Sequence, residues 1–234
     1  MTTQPAQLDR RQRRRQETIS EVVDTAAEIM VEQGVAGLSL GEVARRMGIR
    51  PPSLYVYFPS KHALYDALFA QGAELVLAHM KGQSAAVETA GSLREALLTA
   101  SESFVSWSVQ NPAYTQLLFW RPVPGFTPSA EAYAPAVELI ELTHQMFADL
   151  QQRGLLRTDV QLDKVERDWT VLISGVISQQ LSNAPHETFS RGRFTSALPE
   201  LTSMFAAYYG SNTSTRPPTA KKASRKESHR DRQS

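Results

Sequence analysis

The stretch LSLGEVARRMGIRPPSLYVYFPSKHAL, residues 38–64, decides the fold. Ser39-Leu40-Gly41-Glu42 reads as a capping box: the serine caps the third following amide and the glutamate reaches back to the helix start. A short helix follows, with Val43, Ala44 and Met47 facing inward. Gly48 breaks it and supplies a tight turn. Pro51 and Pro52 open a second helix, because proline suits a first helical turn. Ser53 to Phe58 completes that helix and Pro59 closes it. Ala44 is small where the helices must approach, and Ile49 and Leu54 are placed to lock the pair. Two short helices joined by a glycine turn let the second project into a major groove while the first spans the DNA backbone. The second helix then exposes Arg50, Ser53, Tyr55 and Tyr57, which donate hydrogen bonds to phosphates or base edges. Lys61, at the start of the next helix, reaches a phosphate beside first-turn amides.

Working outward, apolar residues at Ile19, Val22, Val23, Ala26, Ala27, Ile29 and Met30 form a helical stripe over Gln16–Gln33, with Gly34 as its cap. Ser60 caps a fourth helix running to about Met80. Lys81 to Gly91 is small and polar, a junction. Ser92-Leu93-Arg94-Glu95 is a second capping box. The helix it opens carries Trp107 and ends at Asn111-Pro112, where a short helix rich in apolar bulk begins. Arg121 to Ser129 holds three prolines and a glycine and reads as a loop. Long helices follow over 131–153 and 162–183, and a last one over 192–209 in which Pro199 bends or restarts the chain. The pattern is all-α: an N-terminal three-helix helix-turn-helix unit and a C-terminal helical bundle. The expected division is a basic disordered arm (1–15), the helix-turn-helix unit (16–62, its fourth helix continuing to about 81), a second domain (82–210) and a basic disordered tail (211–234).

The string Ala44-x-x-Met47-Gly48-Ile49, then Ser53-Leu54-Tyr55-x-Tyr57-Phe58-x-Ser60-Lys61-x-x-Leu64, resembles the TetR family of regulators over about Ile19 to Phe69. The resemblance implies a sequence-specific regulator of transcription that binds double-stranded operator DNA as a homodimer and senses a small-molecule effector. It implies that Ser39 and Leu40 meet phosphate through side chain and amide. Pro51, Ser53 and Tyr55 face bases or the groove wall, and Tyr57 and Lys61 hold the backbone. Two positions depart from the pattern. Pro52 sits where the family often has glycine, and Gly41 removes a base-reading side chain, shifting readout toward Arg50 and the third helix.

Charge is unevenly spread. Residues 1–16 carry +4, with Arg10, Arg11, Arg13, Arg14 and Arg15 against Asp9; residues 211–234 carry +5. With +1 overall, residues 17–210 hold −8. Residues 17–70 contain only four Lys or Arg against seven acids, weak for phosphate binding. The arginine run, Arg13 and Arg14 among it, is expected to supply that charge, following the DNA backbone or entering a minor groove.

The second domain offers aromatic and apolar bulk for a pocket: Trp107, Tyr114, Leu118, Phe119, Trp120, Phe126, Tyr133, Phe147 and Trp169, with His144 to orient a ligand. Such walls suit an apolar or aromatic ligand with one or two polar groups, although aromatics at helical spacing are usually plain core. By analogy with the family, the dimer surface lies on the helices near 162–183 and 192–209, with Val171, Ser174, Gly175, Ile177, Ser178 and Leu181 on the first and Met204, Phe205 and Tyr208 on the second.

The remaining classes find little support. There is no cysteine for a disulfide, thiolate site or nucleophile, and no stretch of ~18 apolar residues for a membrane span. The five histidines are scattered, and no hydrolase, phosphate-loop or metalloprotease motif occurs, so no enzyme, metal or cofactor is expected. Residues 1–16 do not read as a secretory signal, and a bacterial cytoplasmic location is expected. A repressor released by its ligand is the leading expectation. An activator, or an architectural or partner-controlled factor with the same fold, remains an alternative.

Overall fold

Four serines set where helices begin. Ser39, Ser60, Ser92 and Ser129 each accept, through Oγ, the backbone N–H three residues on, at 3.1–3.2 Å. They cap α2 (Leu40–Arg46), α4 (Lys61–Lys81), α6 (Leu93–Gln110) and α8 (Ala130–Gln152). The computed structural model describes residues 10–211 and adds α1 (Arg10–Gln33), α3 (Pro51–Tyr55), α5 (Ser84–Glu88), α7 (Pro112–Phe119), α9 (Leu162–Asn183) and α10 (Leu198–Tyr209). Among the described residues there is no β-strand, only an isolated bridge between Leu156 and Gly210.

Four local expectations are corrected. The helix expected from Gln16 starts at Arg10, so Arg10–Arg15 form the first turns of α1 instead of a disordered arm. Arginine is a good helix former and nothing in the run breaks it. Residues 1–9, and the tail beyond Ser211, lie outside the described residues. Glu42 does not reach back to the start of α2. It holds the Arg45 Nε and Nη2 at 2.8 and 2.7 Å and the Arg46 Nε at 3.0 Å, because charge-assisted pairs outcompete a neutral amide. The 81–91 junction contains the short helix α5. The last helix begins at Leu198, with Pro199 in its first turn; the residues before it form two 3-10 turns.

The helix-turn-helix forms as its residues dictate. Gly48, at φ +65°, takes the left-handed turn, and the Ile49 N–H returns to the Ala44 carbonyl at 3.0 Å. Leu54 is fully buried, with Val43, Ala44, Leu64 and Tyr65 in the same core. Truncating such a leucine to alanine costs about 2–5 kcal/mol. Tyr65 donates its hydroxyl to the Val35 carbonyl at 2.6 Å, tying α4 to the turn after α1. Arg46 bridges Glu42 and Glu32, joining α2 to α1.

Two apolar cores result, and they do not divide at residue 82. The first gathers α1 to α4 but also takes Ala113 and Leu117 of α7 and Ala132 of α8. The second is built from α6, α8, α9 and α10, around Leu97, Phe147, Leu150, Trp169 and Phe205. Helix α4 runs between them. At its middle a Cβ on Gly72 would lie 2.5 Å from the Tyr114 ring, so only glycine lets α7 approach this closely. The Tyr114 hydroxyl donates to Gln71 Oε1 at 2.5 Å, and Gln71 Nε2 donates to Asp24 of α1 at 2.8 Å. Burial, and then the nearby Asp24 charge, push the Tyr114 pKa up to about 12, so its hydroxyl keeps its proton and remains a donor.

Gly72→Ala is expected to lower stability by about 1–3 kcal/mol through overpacking, measured by urea unfolding; an unchanged midpoint would show that the ring simply shifts. A second expectation concerns pH. Hydrogen bonds from Arg45 and Arg46 hold the Glu42 pKa at about 2, below its usual 4.5. Its stabilising contribution is therefore full above 4.5 and is lost as pH falls toward 2. The stabilities of the parent chain and Glu42→Gln should separate above pH 4.5 and converge below it. A gap that ignores pH would mean the ion pairs contribute nothing.

Candidate nucleic-acid interface and interior cavity

The short helix α3 stands at the surface with one buried anchor. Leu54 and Phe58 point inward, while Arg50, Pro51, Pro52, Ser53 and Tyr55 are exposed. Tyr57 is half-buried, with the Arg15 guanidinium carbon 5.9 Å from its ring centroid. That contact brings the arginine-rich start of α1 beside the end of α3. Arg11 and Arg15 are one turn apart on the helix, so they share the face that meets Tyr57; Arg13 and Arg14 lie around it, exposed. Ser39 is exposed at the start of α2, whereas the Leu40 side chain is buried in the core, leaving its backbone amide as the only group it offers.

The cations inside the block are unequal. Arg45 and Arg46 are held by Glu42 and Glu32. Lys61 is turned inward, its Nζ 3.4 Å from the Ala36 carbonyl and 5.3 Å from the Tyr65 ring centroid. Arg50 is exposed at the start of α3. A surface for phosphates at this end of the molecule therefore rests on Arg50, Lys61 after a side-chain swing, and the arginines of α1.

A cavity of about 410 Å³ lies among α5, α6, α7, α8 and α9. Drug-sized ligands occupy cavities of this order. Of the residues singled out for a pocket, Phe119, Trp120 and Trp169 line it. Phe104, absent from that set, faces Phe119 edge-on at 5.7 Å and also lines it. So do Met80, Ile140, Met146, Ile173 and Ile177, aliphatic residues whose spacing looks in sequence like any core stripe.

The other expected pocket residues serve elsewhere. Phe147 is fully buried and packs edge-on against Trp169. Trp107 is buried in α6 away from the cavity wall. Tyr114 and Leu118 turn to the first core. Tyr133 stacks on Phe69. His144 sits at the surface, 2.8 Å from Glu166. Phe126 packs on Tyr65 and His62, so the proline-rich loop folds onto the helix-turn-helix core instead of covering the cavity. Asp66 of α4 clamps the loop's end by accepting the N–H and the hydroxyl of Ser129, both at 2.7 Å.

On α9, Val171, Ser174, Gly175 and Ser178 occupy the outer side, with Val171 68% exposed; Ser174 also borders the cavity. Tyr208 and Met204 of α10 are equally open, at 63% and 64%. Leu181 and Phe205 are instead buried within the chain's own core, since their positions turn toward α6 and Trp169. Of the three residues expected on the last helix, Met204 and Tyr208 stand outward and Phe205 does not.

Residues 22–68 match the family model described as bacterial regulatory proteins, tetR family. The chain is 33% identical over 93 residues to an uncharacterized HTH-type transcriptional regulator, YobS, of Bacillus subtilis; the match covers 40% of this chain and 47% of that protein. The chain thus spans about half the length of this curated relative. It is 43% identical over 47 residues to the tetracycline repressor protein class D of Escherichia coli, covering 20% of this chain and 22% of the repressor. Its fold is similar to a solved structure of a protein of unknown function from Rhodococcus sp. RHA1, with a TM-score of 0.68, 16% identity, and coverage of 82% of this chain and 94% of the other. The exposed α3 on its Leu54 anchor, the glycine turn and the matched segment agree: over residues 22–68 the chain is similar to the helix-turn-helix segment of the tetR family of bacterial regulatory proteins.

Proposed function

We propose that the chain is a sequence-specific DNA-binding regulator of transcription, a repressor that leaves its operator when a small apolar or aromatic molecule enters the cavity. The observation that carries this reading is helix α7. Its first turn is bonded to the DNA-facing core through Tyr114, Gln71 and Asp24, and its last residues, Phe119 and Trp120, line the cavity. One rigid helix thus touches both places. The sign, repression, follows the name of the tetracycline repressor it resembles over the helix-turn-helix.

The reading assigns α3 to the major groove, with Ser53 and Tyr55 toward base edges and Arg50, Tyr57 and Lys61 toward phosphates. Arg10 to Arg15 extend the grip along the backbone, replacing the charge that Glu42 and Glu32 remove from α2. A homodimer pairs through Val171, Gly175, Ser178, Met204 and Tyr208, whose small and exposed residues allow close helix approach. Two copies of α3 then meet a roughly palindromic site about one turn apart, ~34–36 Å. A ligand relieves repression only by binding the DNA-incompetent state more tightly, with a typical coupling of about 1–3 kcal/mol.

Operator DNA recovered by selection from random sequence tests the first half. Tyr55→Ala should weaken specific binding by about 1–3 kcal/mol while bulk DNA affinity changes little. Replacing the five arginines between Arg10 and Arg15 with alanine should flatten the dependence of affinity on salt, by about one unit of slope per lost phosphate contact. An unchanged slope would remove α1 from the interface. The relay has its own check. Tyr114→Phe should retain operator affinity but reduce the effect of any effector on it, and an unaltered effector response would disconnect α7 from the switch.

A further inference from the structure

The charge of the cavity wall narrows what it takes. None of the residues that line it is a lysine, arginine or histidine, and two are carboxylates, Glu88 of α5 and Asp149 of α8. Asp149 shares one oxygen with Arg153 at 3.0 Å, and Arg153 also donates to the Ala90 carbonyl. Two cations directly follow lining residues along the chain: Lys81, after Met80, is taken by Glu138 at 2.7 Å, and Arg121, after Trp120, is exposed and does not itself line the cavity. Glu88 makes no ion pair or hydrogen bond with any described residue, and it is exposed at the cavity's edge. Phe104, Phe119, Trp120 and Trp169 add aromatic rings to the wall, and the rest of it divides evenly between aliphatic residues and polar or charged ones.

We infer that this cavity takes an apolar body carrying positive charge, an alkyl or aryl ammonium compound, and rejects carboxylates and phosphates of the same size. This rests on the reading of the cavity as the effector site. An anion entering it sheds water and meets no basic side chain on the wall, while the unpaired Glu88 repels it; Asp149 is already offset by Arg153. A cation meets a free carboxylate at the edge and aromatic rings along the wall, both of which can favour it. The excess of acids over bases across residues 17–210 works in the same direction, raising the local concentration of cations and lowering that of anions. The polar remainder, such as Gln83 and Thr143, suits hydrogen bonding but carries no charge to reverse the preference.

The test uses the full chain and three probes with one alkyl tail: dodecyltrimethylammonium, dodecanol and dodecanoate, each below its micelle concentration. Quenching of intrinsic tryptophan fluorescence reports occupancy directly, because Trp120 and Trp169 line the cavity and Trp107 does not. The trimethylammonium compound should bind at least tenfold more tightly than dodecanoate, with dodecanol between them. Glu88→Gln, a substitution at an exposed position, should weaken the cation about fivefold and leave dodecanol within twofold. Trp120→Phe should remove part of the quenching, which ties the signal to the cavity and excludes adsorption elsewhere. Dodecanoate binding as tightly as the cation, or a Glu88→Gln loss shared equally by dodecanol, overturns the inference while saturable binding of dodecanol keeps the effector cavity. Absence of saturable quenching by all three overturns both.

Discussion

The structure depends on one close approach, the Tyr114 ring lying against the backbone of α4 at Gly72. A side chain larger than hydrogen there would push α7 away from α4. With α7 would go Ala113 and Leu117, which complete the core under the helix-turn-helix, and Phe119 and Trp120, which wall the cavity. The Tyr114–Gln71–Asp24 chain of hydrogen bonds fixes the orientation of the contact, and burial keeps the tyrosine protonated for its role as donor. A few tenths of an ångström at this point are therefore felt at both ends of α7. Packed interiors transmit such shifts because they have no slack to absorb them.

Electrostatics divides the molecule into ends with different tasks. On α2, Glu42 and Glu32 engage the charge of Arg45 and Arg46 in holding the helix pair together. The result is a helix-turn-helix block poor in free cations, with the arginine turns of α1 beside it and Arg15 against Tyr57. The cavity wall shows the opposite balance: it has no basic side chain, and of its two carboxylates Glu88 is unpaired while Asp149 is held by Arg153. One chain thus presents a cationic surface beside α3 and an anionic rim some helices away, connected by α4 and α7.

Much of this architecture is legible in the order of the residues. The serine caps, the Gly48 turn and the proline-started helix are local devices, each decided by residues within four positions of one another. Exposure of Ser53 and Tyr55 follows from Leu54 being the apolar residue between them. Other features depart from their sequence expectation for a common reason. Glu42 has two competing sets of partners, and the arginines prevail over the amide. Phe126, Phe147 and His144 are aromatic residues in the right region whose neighbours come from distant segments, so pattern alone does not separate a packing role from a pocket role. Ile140 and Ile177 line the cavity with a pattern indistinguishable from that of a buried stripe.

The amino-acid sequence by itself determined the all-α class, the helix-turn-helix with its exposed second helix, and the resemblance of that unit to the tetR family, because all of these rest on contacts between near neighbours in the chain. Tertiary structure alone decided where the cavity lies, which aromatics reach it, that its wall lacks basic groups, and that α7 spans from the helix-turn-helix core to it. Those properties depend on helices separated by tens of residues and on which face each turns to the others. That choice is settled by packing at places such as Gly72, where the decisive fact is how close a distant ring comes.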